Sequence, residues 1–128
     1  MGFYSAEEWG AWSRTESPWV LLPFSIQGSV QLELELIAYS ANIGREIELE
    51  LGSQRKTIVL SENPQTYTVH FSPTTAADKL KFSNLYLTRA PGARDTRSLG
   101  LGVKSIGLSR PSNYRKPLLQ NAIQAMKN

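Results

Sequence analysis

Apolar and polar positions alternate along much of the chain. Val30, Leu32, Leu34, Leu36 and Ala38 interleave with Gln31, Glu33, Glu35, Ile37 and Tyr39. Successive side chains of a strand point to opposite faces, so this run predicts a strand with one aliphatic face and one mostly polar face. Ile47, Leu49 and Leu51 alternate with Glu46, Glu48 and Glu50 in the same way. Residues 40–45, with Asn42 and Gly44, carry the turn chemistry between the two. Further strands are predicted over 19–24, limited by Pro18 and Pro23, and over 56–60, 65–71, 80–87 and 99–108. The breakers Asn63-Pro64, Ser72-Pro73 and Pro91-Gly92 fall between them.

The last strand changes phase. Leu101 and Val103 share one face, whereas Ile106 and Leu108 share the other. A β-bulge near Lys104-Ser105 restores the inward direction; the alternative is a central strand covered on both sides. Seven or so short strands with regular turn signals predict an all-β fold, a two-layer β-sandwich or jelly roll like that of carbohydrate-binding modules. Leu118, Leu119, Ala122, Ile123 and Met126 recur at helical spacing after Pro117, which suits a first helical turn. The expected organisation is a sandwich over 1–109, then a linker and short C-terminal helix over 110–128. That helix either packs on the sandwich or connects to another domain.

Composition narrows the function more than the fold. The chain has 128 residues, enough for one sizeable core. It has no cysteine, which removes disulfides, thiol nucleophiles and Cys-based zinc sites. The net charge is +3. The basic residues are scattered, with small clusters at Arg89, Arg94, Arg97 and Lys104 and at Arg110, Arg115 and Lys116. A nucleic-acid binder shows a denser stripe, so no nucleic acid is expected. No apolar run reaches the roughly 18 residues of a membrane helix, so no membrane insertion is expected. No leader opens the chain; a complete chain would be cytoplasmic, and one excised from a larger periplasmic protein would be periplasmic.

Catalytic chemistry finds little footing. His70 is the one histidine, it is out of phase with Val69 and Phe71, and nothing local supplies a triad or a second metal ligand. Glu33, Glu35, Glu46, Glu48 and Glu50 read as one acidic sheet face. Its simplest role is a solvated surface that guards against edge pairing; calcium binding and glycoside hydrolysis are the alternatives. Gly100 and Gly102 mark a close backbone approach rather than a phosphate cradle. The expectation is no catalytic residue, no metal and no cofactor.

The opening segment is the most unusual. Phe3, Tyr4, Trp9 and Trp12 crowd into ten residues. Indole rings offer flat apolar faces plus one N–H donor, which complement the C–H faces and hydroxyls of sugars. Trp9, Trp12, Tyr4 and Arg94 are the candidate glycan-binding residues. The other role open to the tryptophans is to plug one end of the sandwich and bury their large area.

Two strings carry a family resemblance. Residues 8–13, Glu-Trp-Gly-Ala-Trp-Ser, resemble the E-x-W-G-x-W-S opening of a β-sandwich domain, with one residue of slack at Glu7/Glu8. Residues 95–108, from Asp95 through Arg97, Leu99, Gly100 and Gly102 to Leu108, resemble its D-x-R-x-L-G-[LI]-G/A closing pattern. Between them, the strand to Tyr39 with its Asn42 loop and the hairpin over 47–60 are similar as well. The domain stands at the C-terminal end of bacterial phosphoglycerol transferases that act on periplasmic glucans, and related domains are attached to surface-polysaccharide glycosyltransferases. The resemblance covers residues 2–108 and implies a non-catalytic accessory module. Its expected partners are a bacterial polysaccharide and a parent or partner transferase. The alternative is a structural domain that docks onto the enzyme or helps it form a homo-oligomer. The two motifs also suggest a structural staple, Glu8 or Glu7 paired with Arg97, that ties the opening segment to the last strand.

Overall fold

The computed structural model describes residues 2–90 and 97–110. They form ten strands: β1 (Ala11–Trp12), β2 (Trp19–Ile26), β3 (Val30–Ala38), β4 (Glu46–Leu51), β5 (Gln54–Val59), β6 (Gln65–Phe71), β7 (Ala77–Ser83), β8 (Thr88–Arg89), β9 (Ser98–Leu99) and β10 (Leu101–Ser109). One 3-10 turn, Ser40–Asn42, follows β3. Sheet I has the order β1-β10-β3-β6, sheet II the order β2-β7-β4-β5, and β8 pairs with β9. All pairings are antiparallel. The predicted all-β sandwich is the fold observed. The predicted C-terminal helix and most of the predicted linker lie outside the described residues. Among the described residues, no helix is long and apolar enough to cross a membrane.

The alternation of β3 and β4 builds the core directly. Leu32, Leu34 and Leu36 from sheet I and Ile47, Leu49 and Leu51 from sheet II are all at most 1% exposed. Phe71, Leu80, Phe82 and Leu101 complete the layer between the sheets. Each such side chain contributes about 1.5–3 kcal/mol by leaving water.

The phase break in β10 is a bulge. Val103 lies opposite Leu36 and Ser105 opposite Glu35, so Lys104 is the extra residue. After it, Ile106 lies opposite Leu34 and Leu108 opposite Leu32. Leu101, Val103, Ile106 and Leu108 therefore share the inner face, and Gly102, Ser105, Gly107 and Ser109 the outer one.

Two expectations are corrected. The strand expected over 80–87 stops at Ser83, because Asn84 takes a left-handed backbone (φ 72°) and turns the chain away. The side chains of Asn84 and Arg45 hold that turn. The Asn84 amide donates to the Glu46 carbonyl at 2.9 Å, and Arg45 donates to both the carbonyl and side-chain oxygen of Asn84. The single acidic face is also two faces. Glu33 and Glu35 lie on the outside of sheet I, and Glu46, Glu48 and Glu50 on the outside of sheet II, with the whole core between them. Period-two alternation says which side of a strand is polar, not which sheet the strand joins. Among the described residues, no three His, Asp or Glu side chains converge in a way that could hold a metal ion. His70 is exposed, with Nε2 2.9 Å from Gln31 Oε1 across the β3–β6 pair.

Candidate functional site

The opening segment folds onto the start of β10. Phe3 bridges Ser13, the Tyr4 N–H donates to the Trp12 carbonyl at 2.9 Å, and the Arg14 N–H donates to the Gly2 carbonyl at 2.7 Å. Within this loop, Glu7 and Gly10 exchange backbone hydrogen bonds. β1 then pairs with β10, Ala11 opposite Val103 and Trp12 opposite Gly102. Gly10 is required here. Its φ is +151°, and a Cβ would strike the Val103 carbonyl oxygen.

Register sets where the indoles go. Trp12, Gly102 and Ile37 lie opposite one another in three adjacent strands, so they share the outer face of sheet I. A Cβ on Gly102 would come within 2.5 Å of Ile37, 3.0 Å of the Trp12 ring and 3.0 Å of the Trp9 ring. Both indoles therefore rest on the bare backbone at Gly102, which is the close approach expected of the glycine pair. Trp9 and Trp12 meet edge to face, with centroids 4.9 Å apart, and Trp12 meets Tyr39 at 5.4 Å in the same way. All three rings are half-buried, and none belongs to the core between the sheets. Neither role expected of the tryptophans anticipates the backing at Gly102, and sequence reasoning misses Tyr39 and Ile37 at the site. Their signal in the sequence is that both are large side chains on the otherwise polar phase that runs along β3 to the residue just after it.

Polar groups lock this cluster from below. The Trp9 indole N–H donates to one Glu7 carboxylate oxygen at 3.2 Å, and Arg97 donates to the other at 2.9 Å. The staple thus uses Glu7, whereas the exposed Glu8 takes no part in it. It reaches the residue before β9 rather than the last strand, and its side chains remain 33% and 41% exposed, so it is not the buried pair such staples form at their strongest. Tyr4 is also a joint. Its hydroxyl donates to the Ser98 carbonyl at 3.0 Å and accepts from the Ser98 N–H at 3.2 Å. Arg14 and Arg97 each lie 5.5 Å from its ring centroid. Arg94 lies outside the described residues.

Two fully buried polar residues finish the lock. Ser13 Oγ accepts from the Leu101 N–H at 2.7 Å, and a Cβ on Gly100 would fall 2.7 Å from that oxygen. The Asn42 amide donates to the Tyr86 carbonyl at 2.7 Å and the Gly100 carbonyl at 2.9 Å, while its oxygen accepts from the Tyr86 N–H at 2.8 Å. The sequence marks Asn42 only as a turn residue. It is also a buried crosslink joining three segments, and each of its three contacts satisfies a backbone group.

The opening and closing strings of the sequence are therefore two sides of one joint, with the indoles on its outer surface. Residues 1–110 match the model of a family described as a domain of unknown function, DUF7024. The chain belongs to the DUF7024 family. No curated protein matches it. In this DUF7024 domain the motif residues fall into two groups. Gly10, Ser13, Arg97, Gly100 and Gly102 shape the joint, and Trp9 and Trp12 cover it. With its N–H held by Glu7, Trp9 has its ring face left to offer. That surface suits stacking on C–H groups.

Proposed function

We propose that this DUF7024 domain is a non-catalytic accessory module of a glycan-assembling or glycan-modifying enzyme, and that it recognises bacterial polysaccharide through Trp9 and Trp12, with Tyr39 beside them. One observation carries the reading. Three aromatic rings stand on the outer face of sheet I, two of them backed by a glycine, and outside the core that would otherwise bury them. A rigid, half-exposed aromatic surface of this kind is complementary to sugar rings. The resemblance of the two motifs to domains that accompany glycan enzymes supports the same reading. Titration with bacterial polysaccharide fragments, followed by tryptophan fluorescence, tests it. Binding lost in Trp9→Ala and kept in Trp19→Ala, on the other sheet, is the expected pattern. No binding at millimolar sugar, or equal loss in both variants, would end it.

A second reading, docking onto a parent transferase, is favoured by a different surface. Ile43, Tyr86 and Leu87 are 45%, 49% and 36% exposed around the segments that Asn42 ties together. Retention of the transferase by the wild type, and its loss in an Ile43→Ser, Tyr86→Ser double variant, would support docking.

A further inference from the structure

The lower half of β10 is an unfinished edge. β3 pairs with β10 along its whole length, but β1 covers the other side at Gly102 and Val103 only. Among the described residues, no strand lies beside Ser105–Ser109 on that side. The backbone groups of a bare edge pair readily with another strand.

The other edges of the sandwich are protected. β2 carries Pro23 and a register irregularity between Leu21 and Ile26. β5 carries Arg55 and Lys56. β5 and β6 are tied across the two sheets at two points, where the Ser72 N–H donates to Gln54 Oε1 and the Ser61 N–H to the Tyr67 hydroxyl. The sequence of the open edge, Ser-Ile-Gly-Leu-Ser, holds no proline and no charge. Its inner face keeps Leu108 36% exposed at the margin of the core.

That sequence is complementary to itself. If a second β10 runs antiparallel about a two-fold axis at Gly107, Gly107 faces Gly107, Ser105 faces Ser109, and Ile106 faces Leu108 of the other copy. The outer face then meets with small residues only. The inner face brings four aliphatic side chains together as an extension of both cores. Pairing is limited to these five residues, because β1 occupies the edge at Val103 and, in this register, Lys104 faces Arg110 at each end. Both cations are already engaged, Lys104 with Glu35 at 3.5 Å and Arg110 with the carbonyls of Gln27 and Ser29. We infer that two copies of this chain pair edge to edge through Ser105–Ser109, making one continuous sheet with an aromatic cluster from each copy on the same outer face. The inference is independent of what those clusters bind.

The chain has no cysteine, so the register can be read with single thiols. In the 128-residue chain, Gly107→Cys places two thiols across the axis, and mild oxidation should crosslink it. Ser105→Cys faces a serine and should crosslink far more slowly. Sedimentation of the wild type at high micromolar concentration should show twice the 14.3 kDa chain mass. Leu108→Lys, an inward-pointing charge on the edge, should return it to monomer with an unchanged β-sheet circular dichroism spectrum. Equal crosslinking of the two cysteine variants would overturn the register. A monomeric wild type would overturn the dimer, and slow hydrogen exchange at 105–109 in that monomer would assign the edge to another part of the same chain.

Discussion

The two halves of β10 share a strand and a partner, yet the protein treats them differently. Above the bulge at Lys104, Leu101–Val103 is held on both edges and both faces. β3 and β1 flank it, Ser13 and Asn42 satisfy the backbone at Leu101 and Gly100, and two indoles cover Gly102. Below the bulge, Ser105–Ser109 has β3 on one side and no strand of the described residues on the other. The upper half is built from residues that each fit one neighbour. The lower half is built from residues that fit many. Motif density here reports a joint, and the surface chemistry is carried by what lies over it.

The largest effect should come from Asn42. Asn42→Ala leaves the half-buried carbonyl and N–H of Tyr86 without their partner and leaves the buried Gly100 carbonyl with the Tyr39 N–H alone, a cost of about 3 kcal/mol. For a domain of this size that lowers the melting temperature by roughly 10 °C. Asn42→Asp should do no better, since it keeps the acceptor and loses both donors. Recovery of wild-type melting in either variant would show that the upper half does not depend on this crosslink. Ser13→Ala should come next, at about 1–3 kcal/mol, because the Leu101 N–H keeps no acceptor in its place. Calorimetry on the two variants ranks them. Gly102→Ala should cost about 1–3 kcal/mol as the added methyl meets Ile37 and both indoles. Its distinctive readout is tryptophan emission, which should shift as Trp9 and Trp12 move; Gly107→Ala, whose added methyl would lie 3.8 Å from Glu33, should leave emission unchanged.

The same contrast explains what is legible in the sequence. Alternation in β3 and β4 reveals strands, faces and core, because burial of one face is a local rule. The bulge is legible because Leu101, Val103, Ile106 and Leu108 can face inward together only with one extra residue between them. Ser13 and Asn42 are not legible as crosslinks. A serine after a tryptophan and an asparagine in a turn look ordinary until the chain brings Gly100 between them. The division of the glutamates between two sheets is hidden for a similar reason, since sheet membership is set by long-range pairing. Crowding marks out Trp9, Trp12 and Tyr4 alike, and it does not show that the Tyr4 hydroxyl is committed to the Ser98 backbone or the Trp9 N–H to Glu7.

The smallest effect should come from the staple that the motifs make most conspicuous. Arg97→Ala removes a charge-assisted hydrogen bond to Glu7 at 2.9 Å. Both side chains are about a third or more exposed, where such a pair contributes about 0–1 kcal/mol. The opening segment would still be held by the Tyr4 hydroxyl on Ser98 and by Ser13 on Leu101. Melting should therefore barely change. The Glu7 carboxylate also accepts from Trp9, so losing Arg97 should free that ring locally and raise its access to a soluble quencher. A melting loss as large as that of Ser13→Ala would mean that the pair, and not the buried serine, secures the N-terminal segment to β10.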